Sequence, residues 1–261
     1  MTIFLRPRAV ENPAFRIFLF HHAGGSSLPY YRLAQHLPDD WDLVIPDLPG
    51  RGKCHGLAPL RSMDEVVRSF SNALTPLLDV PFALFGHSLG AVIAHEVALV
   101  LSERRINPAW LGVSGRAAPE VSRGGTVKLS ELPDAELFEA MRALGGIPDK
   151  LAEVEDFRNR FTMTVRADLT ILDAYEPDQR RPRLGCPVGA FGGSSDLSAT
   201  PRDLLGWADE TTAGFTRHVY PGGHFYLLDS LFARLGADIT RTIRRPSQLP
   251  KVASTNTIST I

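Results

Sequence analysis

The sequence predicts an α/β fold built on a mostly parallel, doubly wound sheet. Short apolar runs bounded by Gly, Pro and Asp alternate with longer segments of helical period, an alternation typical of βαβ units. The 261 residues are 44% hydrophobic and 22% charged, so the chain can bury one large core. The predicted strands are 16–20, 43–45, 82–85, 110–114, 187–191 and 216–220.

The segments between these strands predict helices. In residues 89–103, small and aliphatic side chains recur along one helical face, as in a helix that packs on a sheet. The predicted helices are 64–78, 89–103, 202–211 and 225–244.

Residues from about 119 to 175 interrupt the alternation. This stretch contains no convincing strand, and its periodicity predicts helices at 134–144, 152–161 and 165–175. We expect it to form a helical lid inserted into a single domain of residues 1–245. Residues 246–261 are rich in Ser and Thr, which predicts a polar tail that contributes little to the core.

Charge and composition exclude several classes of protein. The formal net charge is −1, so no overall field favours nucleic acid or an anionic membrane as a partner. No stretch has the length and apolarity of a signal peptide or a membrane span, and we expect a cytoplasmic protein. The two cysteines, Cys54 and Cys186, lack the paired spacing of a zinc site, so we interpret both as free thiols.

The sequence GHSLG at residues 86–90 fits the G-x-S-x-G nucleophile elbow. The pattern alone is weak, because about 0.1 matches are expected by chance in a chain of this composition. Here, however, it directly follows the apolar run 82–85 and directly precedes a helix of small residues, which is the arrangement that the elbow requires. This context predicts the α/β-hydrolase fold, with Ser88 as nucleophile.

A serine nucleophile needs a histidine base and an acid that orients it. In this fold the chain order is Ser, acid, His, and His224 follows a Pro-Gly-Gly turn, whereas His218 lies inside a predicted strand. Asp196 lies in the turn after the strand at 187–191 and is the preferred acid. Asp203 and Asp209 remain competitors, although both fall in the following helix.

Two backbone N–H groups are expected to stabilise the tetrahedral intermediate. The residue after the nucleophile, Leu89, supplies one of them. The second is assigned to Ala23, in the Gly-rich loop after the first long strand, where glycines allow close backbone approach. The alternative is a Gly-rich turn with no catalytic role. This chemistry requires no metal and no cofactor.

The chain resembles the free-standing type II thioesterases of polyketide and nonribosomal peptide biosynthesis. The resemblance extends from about residue 17 to residue 239, and the order of its motifs is more specific than any single one. Further matches are LGG at 144–146 and RAD at 166–168 in the lid. The main matching motifs are FHHAGG at 20–25, LPGR at 48–51, GHSLGA at 86–91, SGR at 114–116 and PGGHF at 221–225.

The resemblance implies an editing enzyme that hydrolyses acyl groups from the phosphopantetheine arm of acyl or peptidyl carrier proteins. Arg116 and Arg123, near the start of the lid, are the first candidates for contacts with an acidic carrier. Two alternatives remain. A general small-ester carboxylesterase would share every catalytic residue, and a non-catalytic hydrolase-fold binding protein would share only the fold.

Overall fold

The computed structural model describes residues 4–119, 128–178, 180–228 and 231–244, apart from the side chain of Lys53. They form one seven-stranded sheet, in the spatial order β1-β3-β2-β4-β5-β6-β7. The short β1 pairs antiparallel with β3, and every other pair is parallel. The strands are β1 (Phe4–Leu5), β2 (Phe15–Phe20), β3 (Trp41–Pro46), β4 (Phe82–His87), β5 (Trp110–Ser114), β6 (Val188–Gly193) and β7 (Phe215–Tyr220).

Helices cover both faces of the sheet. The 3-10 segments include Leu28–His36, Asp203–Glu210 and Tyr226–Leu228. No described helix has the length and apolarity needed to cross a membrane. The α-helices are α1 (Met63–Leu74), α2 (Leu89–Glu103), α3 (Asp134–Ala143), α4 (Asp149–Ala152), α5 (Glu155–Asp173) and α6 (Phe232–Arg244).

Side chains of β2 alternate between two cores, as the pleat of a strand requires. Phe18 and Phe20 pack with α1 and α2 on one face, whereas Ile17 and Leu19 pack with the 3-10 segment Leu28–His36 and α6 on the other. Because β2 is buried on both faces, all of its residues except Arg16 are apolar, and the buried Arg16 is paired with Asp42.

The helical insertion has its own small core. Buried residues of α3, α4 and α5 form a separate apolar cluster that includes Leu137, Phe138, Val165 and Leu169. Ala23 packs against both this cluster and the core that β2 forms with α1 and α2. The insertion therefore contacts Ala23, one of the predicted site residues.

The six predicted strands are confirmed within two residues at each end, and β1 was not predicted. The predicted helices 152–161 and 165–175 are parts of one helix, α5, and the predicted break between them is wrong, because α5 runs through residues 162–164. Thr164 and Thr170 donate their hydroxyl hydrogen bonds to carbonyl groups four residues earlier, so these residues do not interrupt the helix.

Two other helix predictions need correction. Residues 202–211 form a 3-10 segment (Asp203–Glu210), and the predicted helix 225–244 is divided into a 3-10 turn (Tyr226–Leu228) and α6. The predicted tail at 246–261 and the start of the predicted lid, residues 120–127, lie outside the described residues.

Candidate active site

Ser88 occupies a strained turn between β4 and α2. Its backbone angles are φ 57° and ψ −115°, a conformation that non-glycine residues rarely adopt and that costs about 1–3 kcal/mol. The flanking glycines have no room for a side chain. A Cβ on Gly86 would lie 1.9 Å from the carbonyl oxygen of Gly90, and one on Gly90 would lie 2.1 Å from that of Phe20. The GHSLG motif therefore follows from the close approach of three backbone segments.

His224 and Asp196 form a buried hydrogen-bonded pair. Nδ1 of His224 lies 2.8 Å from Oδ2 of Asp196, and their relative exposures are 6% and 2%. The other carboxylate oxygen, Oδ1, accepts from the Ser198 N–H at 2.8 Å, the Ser198 hydroxyl at 2.7 Å and the Ala199 N–H at 3.2 Å. The carboxylate is thus held in one orientation, with Oδ2 turned towards the imidazole.

These contacts set the charge of Asp196, the predicted acid, and the tautomer of His224, the predicted base. Burial alone would raise the pKa of Asp196, but the hydrogen bonds from His224 and Ser198 outweigh it and hold the pKa below its ordinary value. An ionised Asp196 accepts a hydrogen bond from Nδ1–H of His224. Nε2 of the neutral ring then carries a lone pair that can accept a proton.

The ends of the parallel strands bring Ser88 and His224 to one edge of the sheet. The Ser88 N–H donates to the carbonyl oxygen of Ser114 at 2.8 Å. The next residue, Gly115, has φ 59°, and a Cβ there would lie 3.2 Å from Cε1 of His224. The hydrogen bonds of the described residues do not include one from the Ser88 hydroxyl to His224. In hydrolases without substrate this contact is often longer than a hydrogen bond.

Residues 21–25, here termed the oxyanion loop after their predicted role, follow β2 at the same edge. No described residue accepts a hydrogen bond from the N–H of Ala23 or of Leu89. The neighbouring N–H groups are occupied, because Gly25 donates to the carbonyl oxygen of His22 at 3.0 Å and Gly24 donates to Asp168 at 2.7 Å. Ala23 and Leu89 are the two predicted donors, and both keep a free N–H for a ligand.

Comparison with known proteins identifies the family of this chain. The thioesterase-domain family model matches residues 15–240. This protein belongs to the thioesterase family. The thioesterase is similar to the gramicidin S biosynthesis protein GrsT of Aneurinibacillus migulanus, with 31% identity over 218 residues that cover 83% of this chain and 84% of GrsT.

Solved structures lead to the same family. The type II thioesterase BorB, from the borrelidin biosynthetic cluster, matches with a TM-score of 0.83 and 30% identity, covering 92% of this chain and 97% of BorB. RedJ, a thioesterase of the prodiginine pathway in Streptomyces coelicolor, matches with a TM-score of 0.81 and 35% identity, covering 88% and 85%. The protein is a thioester hydrolase with an α/β-hydrolase fold, related to biosynthetic type II thioesterases.

The competing site residues of the thioesterase have other partners. Asp203 accepts from the N–H and the hydroxyl of Thr200, and Asp209 is exposed. His218 stacks on Phe191, with ring centroids 4.7 Å apart, and so lies within strand β7 rather than in the loops at the carboxyl ends of the strands. The described residues contain no group of three or more His, Cys, Asp or Glu arranged to hold a metal ion.

Sequence reasoning missed the neighbours of the His224 ring. The Ser198 hydroxyl lies 2.9 Å from Nδ1 of His224 while it donates to Asp196. Its position two residues after an Asp in a turn is the signal that could have found it. The ring of buried His87 lies beside that of His224, with the ring centroids 5.0 Å apart, and Nδ1 of His87 lies 2.9 Å from the Ser114 hydroxyl. Burial, aided by His224, lowers the pKa of His87 well below its ordinary value, so His87 is neutral at pH 7.

The two predicted free cysteines are confirmed. Both Cys54 and Cys186 are buried and unpaired. Burial raises the pKa of the Cys186 thiol to about 12, so it is protonated at neutral pH and is a poor nucleophile.

Proposed function

We propose that this thioesterase hydrolyses acyl groups from the phosphopantetheine arm of acyl or peptidyl carrier proteins and so clears stalled intermediates from a polyketide synthase or nonribosomal peptide synthetase. The catalytic residues are Ser88, Asp196 and His224. The observation that carries the proposal is the 2.8 Å contact between His224 and Asp196, at the sheet edge where the strained turn presents Ser88.

The proposed reaction proceeds through an acyl-enzyme. Nε2 of His224 takes the hydroxyl proton of Ser88 as the oxygen attacks the thioester carbonyl. The N–H groups of Ala23 and Leu89 stabilise the oxyanion that forms. The intermediate collapses, the carbon–sulfur bond breaks, and the imidazolium protonates the departing thiolate. Water, deprotonated by His224, then attacks the ester; the bond between the acyl carbon and the Ser88 oxygen breaks, the imidazolium returns the proton to that oxygen, and the acid is released. Asp196 stays ionised, and no cofactor takes part.

The helical insertion is proposed as a lid over this site, within one domain that spans residues 1–245. Two contacts support a lid. Gly24 of the oxyanion loop packs against Val165 of α5, and a Cβ on Gly146 would lie 2.5 Å from the ring of Phe225, the residue after His224. The insertion therefore contacts loops on both sides of Ser88, where it can shape an acyl pocket.

A carrier as partner is supported by the relatives named above, a gramicidin S biosynthesis protein and a type II thioesterase of the borrelidin biosynthetic cluster. Such assembly lines work in the cytoplasm, which is the location we propose. Carrier proteins are acidic near their modified serine, and a carrier surface can contribute binding energy remote from the reacting carbonyl. Arg116 lies at the edge of the site, directly after Gly115, and Arg123 lies outside the described residues.

The test compares one acyl group on a carrier, on coenzyme A and on N-acetylcysteamine, each at about 50 mM and about 300 mM salt. We expect the highest kcat/KM for the carrier, with a selective decrease at high salt. Equal values for the three thioesters, with faster hydrolysis of an aryl ester, would instead identify a general carboxylesterase.

The Ser88→Ala variant tests the chemistry. It is expected to abolish turnover and labelling by a fluorophosphonate while the melting temperature does not fall, because the side chain lies at a turn outside the core. Activity within tenfold of the wild type would contradict the assignment of Ser88. Loss of stability without loss of activity per folded molecule would do the same.

A further inference from the structure

One buried carboxylate of α5 is bonded to the oxyanion loop. The Gly24 N–H donates to Oδ2 of Asp168 at 2.7 Å, across 144 residues of sequence. The Arg51 guanidinium donates to both oxygens of the same carboxylate, with Nη2 2.7 Å from Oδ1. Asp168 is 2% exposed and Arg51 is 8% exposed, so water does not screen this ion pair.

Arg51 connects the same carboxylate to two loops. Its Nη1 lies 3.4 Å from the carbonyl oxygen of Gly25 in the oxyanion loop, and its Nη2 lies 3.3 Å from that of Pro49 in the loop after β3. Asp168 supplies the negative charge that this buried guanidinium requires. Two separate loops, the oxyanion loop and the loop after β3, thus converge on one side chain of α5.

Packing brings α5 directly against the loop. Gly24 has φ +71°, and a Cβ there would lie 2.9 Å from Cβ of Val165 and 3.0 Å from Cε2 of Phe161. Both side chains belong to α5. A side chain at position 24 would therefore separate the helix from the loop and move Asp168 away from the Gly24 N–H.

Hydrogen bonds hold both peptide groups that flank Ala23. The carbonyl oxygen of His22 accepts from the Gly25 N–H at 3.0 Å and from Nδ1 of His21 at 2.8 Å. Burial is the main cause that lowers the pKa of His21 to about 3, so this ring is neutral. Its Nε2 accepts from the Leu48 N–H at 3.3 Å, which places the ring proton on Nδ1.

Among the described residues, Asp168 is the only hydrogen-bond partner of the second flanking peptide, between Ala23 and Gly24, and it binds the Gly24 N–H. Because an N–H and the carbonyl of the same trans peptide point in opposite directions, the bonds to His22 turn the Ala23 N–H away from them. Asp168 then fixes the rotation of the peptide that follows. The peptide that carries the free Ala23 N–H is thus held directly by bonds within the loop, and the peptide on the other side of Ala23 is held by Asp168 of α5.

We propose that Asp168 is a positioning residue that aligns the Ala23 N–H for the oxyanion and makes the oxyanion hole complete only while α5 is seated on the loop. The inference rests on the proposed chemistry at Ser88. It adds that the insertion acts on the transition state through Asp168 and Arg51, in addition to covering the acyl chain. Binding of an oxyanion in the hole and packing of α5 on the oxyanion loop must then favour each other.

The first test uses the double variant Arg51→Met/Asp168→Leu, which removes the acceptor of Gly24 without leaving an unpaired buried charge. Asp168→Asn, which preserves side-chain size, is measured beside it. Asp173→Asn is the matched control, because Asp173 lies on the same helix but accepts from the N–H and the hydroxyl of Ser130 within the insertion.

For an acyl-N-acetylcysteamine thioester, we expect kcat of the double variant to fall about 10- to 100-fold, less than loss of a whole donor, with KM within about threefold. The affinity for an alkyl trifluoromethyl ketone, whose bound oxyanion occupies the hole, should fall by a similar factor. The Asp173→Asn control should retain the wild-type kcat and the wild-type affinity for the ketone. A change in KM alone, or a double variant whose kcat stays within threefold of the wild type, would overturn the proposal. If the double variant does not fold, Asp168→Asn decides by the same criteria.

A second measurement distinguishes positioning from a purely structural role. Bound trifluoromethyl ketone should slow amide hydrogen exchange in α5 of the wild type and of Asp173→Asn, but not in the double variant or Asp168→Asn. Unchanged exchange in the wild type would refute the coupling. Failure of the proposed function is recognised separately, because Ser88→Ala would then retain activity whatever the Asp168 variants do.

Discussion

Replacing Asp196 by Asn tests how the acid controls the base. Three donors, the N–H and hydroxyl of Ser198 and the N–H of Ala199, point at Oδ1. The amide oxygen of Asn must take this position, because an NH₂ group there would face two backbone N–H donors. The amide NH₂ is then left 2.8 Å from Nδ1 of His224, where the carboxylate oxygen now lies.

An NH₂ group at that position can only donate, so Nδ1 must give up its proton and the ring must carry it on Nε2. Nε2 of His224 then has no lone pair to accept the hydroxyl proton of Ser88. Loss of tautomer control in other triads costs about 10⁴-fold in kcat, which corresponds to about 5.4 kcal/mol in the activation barrier.

The assay follows release of free thiol from a short acyl thioester with a chromogenic thiol reagent. Ser198→Ala is the matched control. It removes one donor to the carboxylate but leaves the charge facing His224, so we expect a loss of less than tenfold. A loss of less than tenfold in Asp196→Asn itself would show that Asp196 does not set the tautomer and that another acid orients the base.

Two further predictions concern stability. His21, His22 and His87 are buried with pKa values lowered mainly by burial, so below about pH 6.5 the unfolded chain binds more protons than the native one and the unfolding free energy falls. Buried His95 acts in the opposite direction, because burial, which lowers its pKa, is outweighed by the contacts with Glu210 and Glu96, and the pKa is raised. Urea unfolding at about pH 7 and pH 5.5 should therefore show a net loss of roughly 3 kcal/mol, and equal values would contradict neutral burial. Gly90→Ala should cost more than about 3 kcal/mol or abolish folding, because its Cβ would lie 2.1 Å from a carbonyl oxygen of β2, whereas Gly185→Ala, with open space at its Cβ, should cost little. Similar melting temperatures for the two variants would refute the steric explanation of the elbow.

Local chemistry explains why much of the fold was predictable from the sequence. Strands buried on both faces are continuous apolar runs, and α2 has small residues along the face that meets the sheet, so both are visible as patterns. The break predicted at residues 162–164 of α5 is wrong, because the Thr164 hydroxyl bonds to a carbonyl group within the helix and the sequence does not distinguish such a Thr from one that ends a helix. β1 was missed because two residues are too short for any period.

The sequence by itself determined the strand order along the chain, the elbow at Ser88 and the residues proposed as acid and base, because each lies in a motif or turn whose chemistry is local. Only the tertiary structure decided which N–H groups of the oxyanion loop are free and that Asp168 of α5 holds the loop through Gly24 and Arg51. Those contacts join residues more than a hundred positions apart, and periodicity carries no information about which distant side chains will meet.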